Sequence, residues 1–262
     1  MGARPGDTQS PGFFYLRYIV MKTVAIIPGG GAGRRMGKGI PKQYLPLGGI
    51  PILVHTLQAF QRSPVIDEIF LAVPEGDIPE VRQAIVVKYH LSKVSLILPG
   101  GRERQDSVRN ALRHVSDEHG IIVIHDAVRP FVSGDLINRA VAAAREFGAI
   151  TVGVPVKDTV KEVTAEGWVK ITVRREGLWL TQTPQAFGGP IIIAAYKKAA
   201  AEGFYGTDDA SLVERMEIPV RMIPGESDNI KVTTPEDLFL GELIIRRTSD
   251  ERDGGPDPLL TI

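Results

Sequence analysis

The sequence predicts an α/β fold, a three-layer αβα sandwich around a mostly parallel sheet. Two observations predict it. From residue 23 to residue 156, short β-branched runs alternate with longer amphipathic stretches. The short runs are apolar along their whole length, as strands covered by helices on both faces are. Right-handed crossovers then distribute the helices between two layers.

The elements follow in order. TVAIIP (23–28) reads as a buried strand. PILVHTLQAFQR (51–62) has helical spacing, with Pro51 suited to a first turn. DEIFLAVP (67–74) is strand and 79–90 helix; KVSLILP (93–99) is strand and 103–115 helix. GIIVIHD (120–126) is strand, and 134–147 is helix with Ser133 as its N-cap. AITVGVPV (149–156) is strand again. The rhythm breaks over 157–185, where alternation, Thr and Val, and a turn near Ala165–Gly167 read as a hairpin. It is either an extra antiparallel edge or an arm leaving the domain. Helices return at 190–202 and 208–217, then a strand at 218–224 and a helix from 235.

Composition narrows the function. The 262 residues contain 31 Lys plus Arg and 31 Asp plus Glu, a balance that argues against a nucleic-acid binder. The absence of cysteine excludes disulfides, thiolate metal sites and cysteine nucleophiles, and fits a cytoplasmic protein. No apolar run approaches the roughly 20 residues of a membrane helix. His55, His90, His114, His119 and His125 lack metal-ligand spacing and read as structural or surface residues. Residues 1–20 read as a disordered extension or a misassigned start ahead of Met21, 21–248 as one domain, and 249–262 as a flexible tail.

Ligands of such sheets bind beyond the carboxyl ends of the strands. Those ends carry PGGGAGRR, VPEG, PGGRERQDS and HDAVRP. In the first, glycines 29, 30, 31 and 33 let backbone N–H groups converge into an anion nest, and Arg34, Arg35, Lys38 and Lys42 add charge. A phosphate loop is expected. Walker A fails: Ala32 stands at the first glycine position and Gly39 at the hydroxyl position. In a dinucleotide fingerprint the third glycine comes one position late, and Pro41 interrupts before any helix, which leaves NAD binding a weak alternative.

The pattern from Pro28 to Leu47, with HDAVRP (125–130), PVKDTVK (155–161), LTQTPQAF (180–187), TDDASLVE (207–214) and DNIKVTTPEDL (228–238), resembles the 2-C-methyl-D-erythritol 4-phosphate cytidylyltransferase family from Lys22 to Arg247. Gly29–Gly30 depart from it, standing where two alanines are more familiar. The resemblance implies a Rossmann-like fold with a protruding β-arm at about 157–178. It also implies transfer of a cytidylyl group from CTP to a polyol phosphate with release of pyrophosphate. The attacking group is already an anion, so positioning and charge neutralisation suffice. The same loops would serve a ribitol 5-phosphate cytidylyltransferase, a more distant sugar-1-phosphate nucleotidylyltransferase, or a nucleotide-binding module without catalysis.

By that resemblance Arg35 and Lys42 are catalytic. Pro28, Gly29, Gly30, Gly31, Gly33, Gly101, Arg102, Ser107, Asp126, Ala127 and Lys231 bind CTP. Arg129, Asp158, Thr159, Arg175 and Thr183 bind the polyol phosphate. Asp126 and Asp228 are the candidate ligands of Mg²⁺ or another divalent cation, which on a triphosphate uses one or two carboxylates. The arm implies a homodimer in which each subunit lends residues to its partner's site. Arg104 and Asp106 read as an exposed charged turn.

Overall fold

The structure, a computed structural model, describes residues 21–30 and 41–252. Its sheet has the order β11-β7-β10-β6-β1-β4-β5. The strands are β1 (Lys22–Pro28), β4 (Glu68–Val73), β5 (Val94–Pro99), β6 (His119–Ile124), β7 (Ala149–Pro155), β10 (Trp179–Gly188) and β11 (Arg221–Pro224). All run parallel except β10, which is antiparallel to both neighbours, β6 and β7. A short ribbon, β2 (Pro46–Leu47) with β3 (Ile50–Pro51), follows the first loop.

The apolar runs are continuous because successive residues feed two separate cores. On one face of the sheet Ala25, Ile27, Leu71 and Val123 pack with Leu57 and Phe60 of α1 (Ile52–Arg62) and Leu136, Ile137 and Ala140 of α4 (Gly134–Phe147). On the other face Val24, Ile26, Phe70 and Ile122 pack with Val108 and Ala111 of α3 (Arg104–Leu112). Ile192 and Ala195 of α5 (Gly189–Ala201) and Leu212 of α6 (Asp209–Glu214) complete that layer. Period-two alternation puts neighbouring side chains on opposite faces, and here both faces are dry. A third cluster of Leu45, Leu47, Ile52, Val128 and Val232 seats α7 (Pro235–Arg252) through Leu238 and Ile245.

The expected elements lie close to their observed bounds. The Ser133 hydroxyl accepts the Leu136 N–H, the predicted cap. The helix expected at 79–90 is instead α2 (Ile78–Val81) running into a π-helical turn at Arg82–Val87. No helix of the described residues is long and apolar enough to cross a membrane.

The excursion divides in two, which corrects the hairpin expected over 157–185. Only β8 (Val160–Val163) and β9 (Val169–Val173) form the arm, paired with each other and turning at Thr164–Gly167, where Gly167 has φ +91°. The stretch 179–188 returns to the middle of the sheet as β10. Its polar residues mimic the alternation of a solvated ribbon, yet Gln182, Thr183 and Gln185 are buried, Gln182 bonded to Glu226 O, Thr183 to the Asp126 N–H and Gln185 to the first turn of α6. Trp168 at the arm's tip is 75% exposed.

Candidate active site

Two glycine turns leave the ends of β1 and β5, one on each side of β4. The Gly29 N–H donates to Ala72 O and the Gly100 N–H to Val73 O, both at 2.7 Å. A Cβ on Gly30 would stand 3.3 Å from Ser107 Oγ and 3.4 Å from Gly100 Cα, so the turns touch. Neither Gly29 nor Gly30 has a left-handed backbone, and what glycine supplies there is close approach. An alanine pair, familiar at these positions in the resembling family, would require shifts of only a few tenths of an ångström.

Gly101 is less tolerant. A Cβ there would lie 2.1 Å from Asp106 Cβ, inside the first turn of α3. That turn is rigid: Glu103 and Asp106 form a capping box, and Ser107 Oγ accepts the Gly101 N–H at 3.0 Å while donating to Glu103 O. Gly101→Ala is therefore expected to lower stability by about 1–3 kcal/mol, the usual cost of overpacking, which urea unfolding checks.

Lys42 begins a single 3-10 turn, Lys42–Tyr44, after Pro41. The buried Gln43 amide donates to Gly29 O at 2.7 Å, and the Tyr44 hydroxyl donates to Asp77 at 2.9 Å. These bonds tie the turn to the first glycine loop and place Lys42 on the cleft wall.

The cleft floor is Asp126, only 6% exposed. Arg104 Nε lies 2.7 Å from its Oδ1, Lys231 Nζ 2.8 Å from its Oδ2, and Arg129 Nε 3.6 Å from Oδ2. Burial alone would push this carboxyl up; Arg104, Lys231 and Arg129 outweigh it and hold it well below the usual carboxylate range. Arg104 also reaches Asp209 at 2.8 Å, and Asp209 accepts the Tyr196 hydroxyl at 2.5 Å. A buried chain of alternating charge thus runs from α6 to the cleft.

Pro28, Gly29, Gly30, Lys42, Gly101, Arg102, Ser107, Asp126, Ala127 and Lys231 line one cleft together, with Gln43, Glu103, Arg104 and Val128. A family model described as 2-C-methyl-D-erythritol 4-phosphate cytidylyltransferase matches residues 23–247. The chain belongs to the 2-C-methyl-D-erythritol 4-phosphate cytidylyltransferase family. A cytidylyltransferase of that name from Syntrophus aciditrophicus is 53% identical over 86% of this chain and 97% of its own length. One from Geobacter metallireducens is 51% identical over 86% and 98%. The crystal structure of the 2-C-methyl-D-erythritol 4-phosphate cytidylyltransferase of Thermus thermophilus is 33% identical, with a TM-score of 0.73 over 86% of this chain and all of that one. As a 2-C-methyl-D-erythritol 4-phosphate cytidylyltransferase, the chain is a CTP-dependent nucleotidyltransferase that forms 4-diphosphocytidyl-2-C-methyl-D-erythritol, a step of non-mevalonate isoprenoid synthesis.

The other residues expected of a 2-C-methyl-D-erythritol 4-phosphate cytidylyltransferase site are not all brought to the cleft. Gly31, Gly33 and Arg35 lie outside the described residues. Arg129 is mostly buried behind Asp126 and donates to Asn229 O at 2.7 Å. Thr183 is also buried, its hydroxyl engaged by the Asp126 N–H and by His125. Asp158, Thr159 and Arg175 are exposed at the root of the arm, where Arg175 donates to Lys157 O. Asp228 pairs with Arg247 of α7 and is not among the residues lining this cleft. No group of three metal-ligating side chains occurs among the described residues.

Sequence reasoning missed Arg104, Asp209, Gln43 and His125. Arg104 and Asp106 are not an exposed turn: Asp106 is 7% exposed in the capping box, and Arg104 is the bridge between Asp126 and Asp209. The only signal was Asp209 within TDDASLVE, an acid starting a helix whose partner lies about a hundred residues earlier.

Proposed function

We propose that this cleft holds CTP between the two glycine turns and directs in-line attack on its α-phosphate. An oxygen of the 2-C-methyl-D-erythritol 4-phosphate phosphate forms the new bond to that phosphorus. The bond to the β-phosphate oxygen breaks, and pyrophosphate leaves with the electron pair. No proton need move, so the step asks for no general base. The observation that carries the reading is the convergence of Lys231 and Arg104 on one buried carboxylate, in a cleft that Lys42 and the glycine turns also line.

Lys42, with Arg35 as implied by the family motif, neutralises charge that grows at the α-phosphate. Gly101, Arg102 and Ser107 face the cytidine end. Mg²⁺ fits as a metal held mainly by triphosphate oxygens, with Asp126 as a carboxylate of the cleft that could join them. Its Oδ1 stays with the well-anchored Arg104, whereas the Lys231 side chain on Oδ2 is 40% exposed and can yield that oxygen. Bound there, the metal would supply further neutralisation of the phosphates.

Asp158, Thr159 and Arg175 sit on the arm, apart from the cleft of their own chain, and serve the polyol phosphate in a partner's cleft within a homodimer. Subunits carrying Arg175→Ala, mixed with subunits carrying Lys42→Ala, should regain activity that neither has alone. Recovery near one quarter of wild type is expected for random pairing; no recovery overturns the shared site.

The first test offers 2-C-methyl-D-erythritol 4-phosphate and ribitol 5-phosphate in parallel, with CTP and Mg²⁺, and follows pyrophosphate. Release with the first alone is expected. Release with ribitol 5-phosphate alone keeps the mechanism and reassigns the acceptor.

A further inference from the structure

The buried pair Thr183 and His125 has a geometry that a pocket-lining threonine would not need. His125 is fully buried and Thr183 is 6% exposed. The His125 Nε2 atom lies 3.1 Å from Arg129 O, and a carbonyl oxygen only accepts, so Nε2 carries the ring proton. Nδ1 is then an acceptor. Thr183 Oγ1, 3.0 Å away, donates its proton to Nδ1 and accepts the Asp126 N–H, also at 3.0 Å. The imidazole therefore spans the turn from Asp126 to Arg129 as a brace, with Phe60 tilted against it at 5.0 Å. Two carbonyls of the turn are matched too: Ala127 O accepts from Thr56 Oγ1 and Asp126 O from the Arg129 N–H. On the far side, Asn229 Nδ2 donates to Thr183 O at 2.7 Å.

We infer that His125 and Thr183 are positioning residues, a hydrogen-bonded brace in the Nε2–H tautomer that sets Asp126, and through it Arg104 and Lys231, against the phosphates of CTP. Thr183 then acts through the main chain of Asp126 instead of touching the polyol phosphate. The inference rests on the cleft being the cytidylyl-transfer site. Its direction is set by chemistry: one hydroxyl has one proton, and the carbonyl at the other end of the ring decides where that proton goes.

Two measurements test it. Nitrogen NMR of the wild-type protein should show His125 protonated at Nε2 and bare at Nδ1; the opposite tautomer overturns the brace whether or not the enzyme turns over. In kinetics, Thr183→Val keeps the shape of the side chain and removes both bonds. It should lower kcat about 10- to 100-fold, the scale of a small misplacement of reacting groups, with KM for the polyol phosphate changed less than about threefold. Thr183→Ser should restore kcat and the wild-type His125 signals. A large rise in KM for the polyol phosphate with kcat retained in Thr183→Val would return Thr183 to substrate contact and overturn the proposal. Should Thr183→Val not fold, His125→Gln provides the same kinetic comparison. Absence of transfer in the wild type would instead sink the functional reading, leaving the NMR result to stand by itself.

Discussion

Lys42→Ala is expected to lower kcat by about 100- to 1,000-fold, the loss seen when one preorganised charge is removed from a developing anion. The argument is one of differential binding. A triphosphate already carries its charge in the ground state, and in the proposed reading the glycine turns with Lys231 hold much of it. What grows on the way to the transition state is charge on the oxygens around the α-phosphorus and on the departing pyrophosphate, and only groups aimed there raise the rate. Lys42 is placed for that by its 3-10 turn, with Pro41 before it and the Gln43 bond to Gly29 O behind it. Lys42→Arg should recover only part of the activity, because a planar fork on a longer stem does not put its charge where a compact ammonium did. Single-turnover pyrophosphate release separates this loss from weaker CTP binding. An unchanged kcat in Lys42→Ala would remove Lys42 from the chemistry.

Asp126→Asn should be the most costly substitution for stability. It keeps the shape and removes the charge that Arg104, Lys231 and Arg129 share. Breaking a buried charge cluster from one side costs about 3–5 kcal/mol, with the lower end expected because Lys231 can turn to solvent. The pH dependence follows from the depressed carboxyl. A carboxyl lowered on folding contributes stability that is complete above its unfolded value near 4 and is lost as pH falls toward its folded value. The gap between wild type and Asp126→Asn in urea unfolding should therefore be full at pH 7. It should persist to about pH 4 and narrow only in stronger acid. His125 beside it does not obscure this gap, since burial pushes its imidazole down to about 4 and it is neutral at pH 7. A gap that closes between pH 7 and 5 would mean that the cations do not hold Asp126 ionised.

Much of this architecture was legible because apolar strands announce themselves. Val24 to Ile27 are all buried, and no solvated strand would be written that way. The glycine turns and their basic residues were legible because a phosphate loop needs flexible backbone and charge close together in sequence. Strand β10 was not. Gln182, Thr183 and Gln185 read as a wet ribbon, and only the tertiary fold supplies partners that make those polar groups cheap to bury. Arg104 failed for the same reason. Its two carboxylates lie in the loop after β6 and in α6, and no local spacing connects them. Asp228 has a partner that its motif does not contain, Arg247, and no local spacing announces that pair.

The way the arm joins the sheet has a consequence for how such a chain changes over time. β7 and β10 are antiparallel neighbours, and their pairing begins with Pro155 opposite Trp179. The arm is thus entered and left at one point, like an overgrown hairpin loop. Lengthening, shortening or re-lettering it alters loop-closure entropy only slowly and demands nothing of the strands below. The fold is split between a chassis of strands buried on both faces and an exchangeable fitting that can be recut without rebuilding the sheet beneath it.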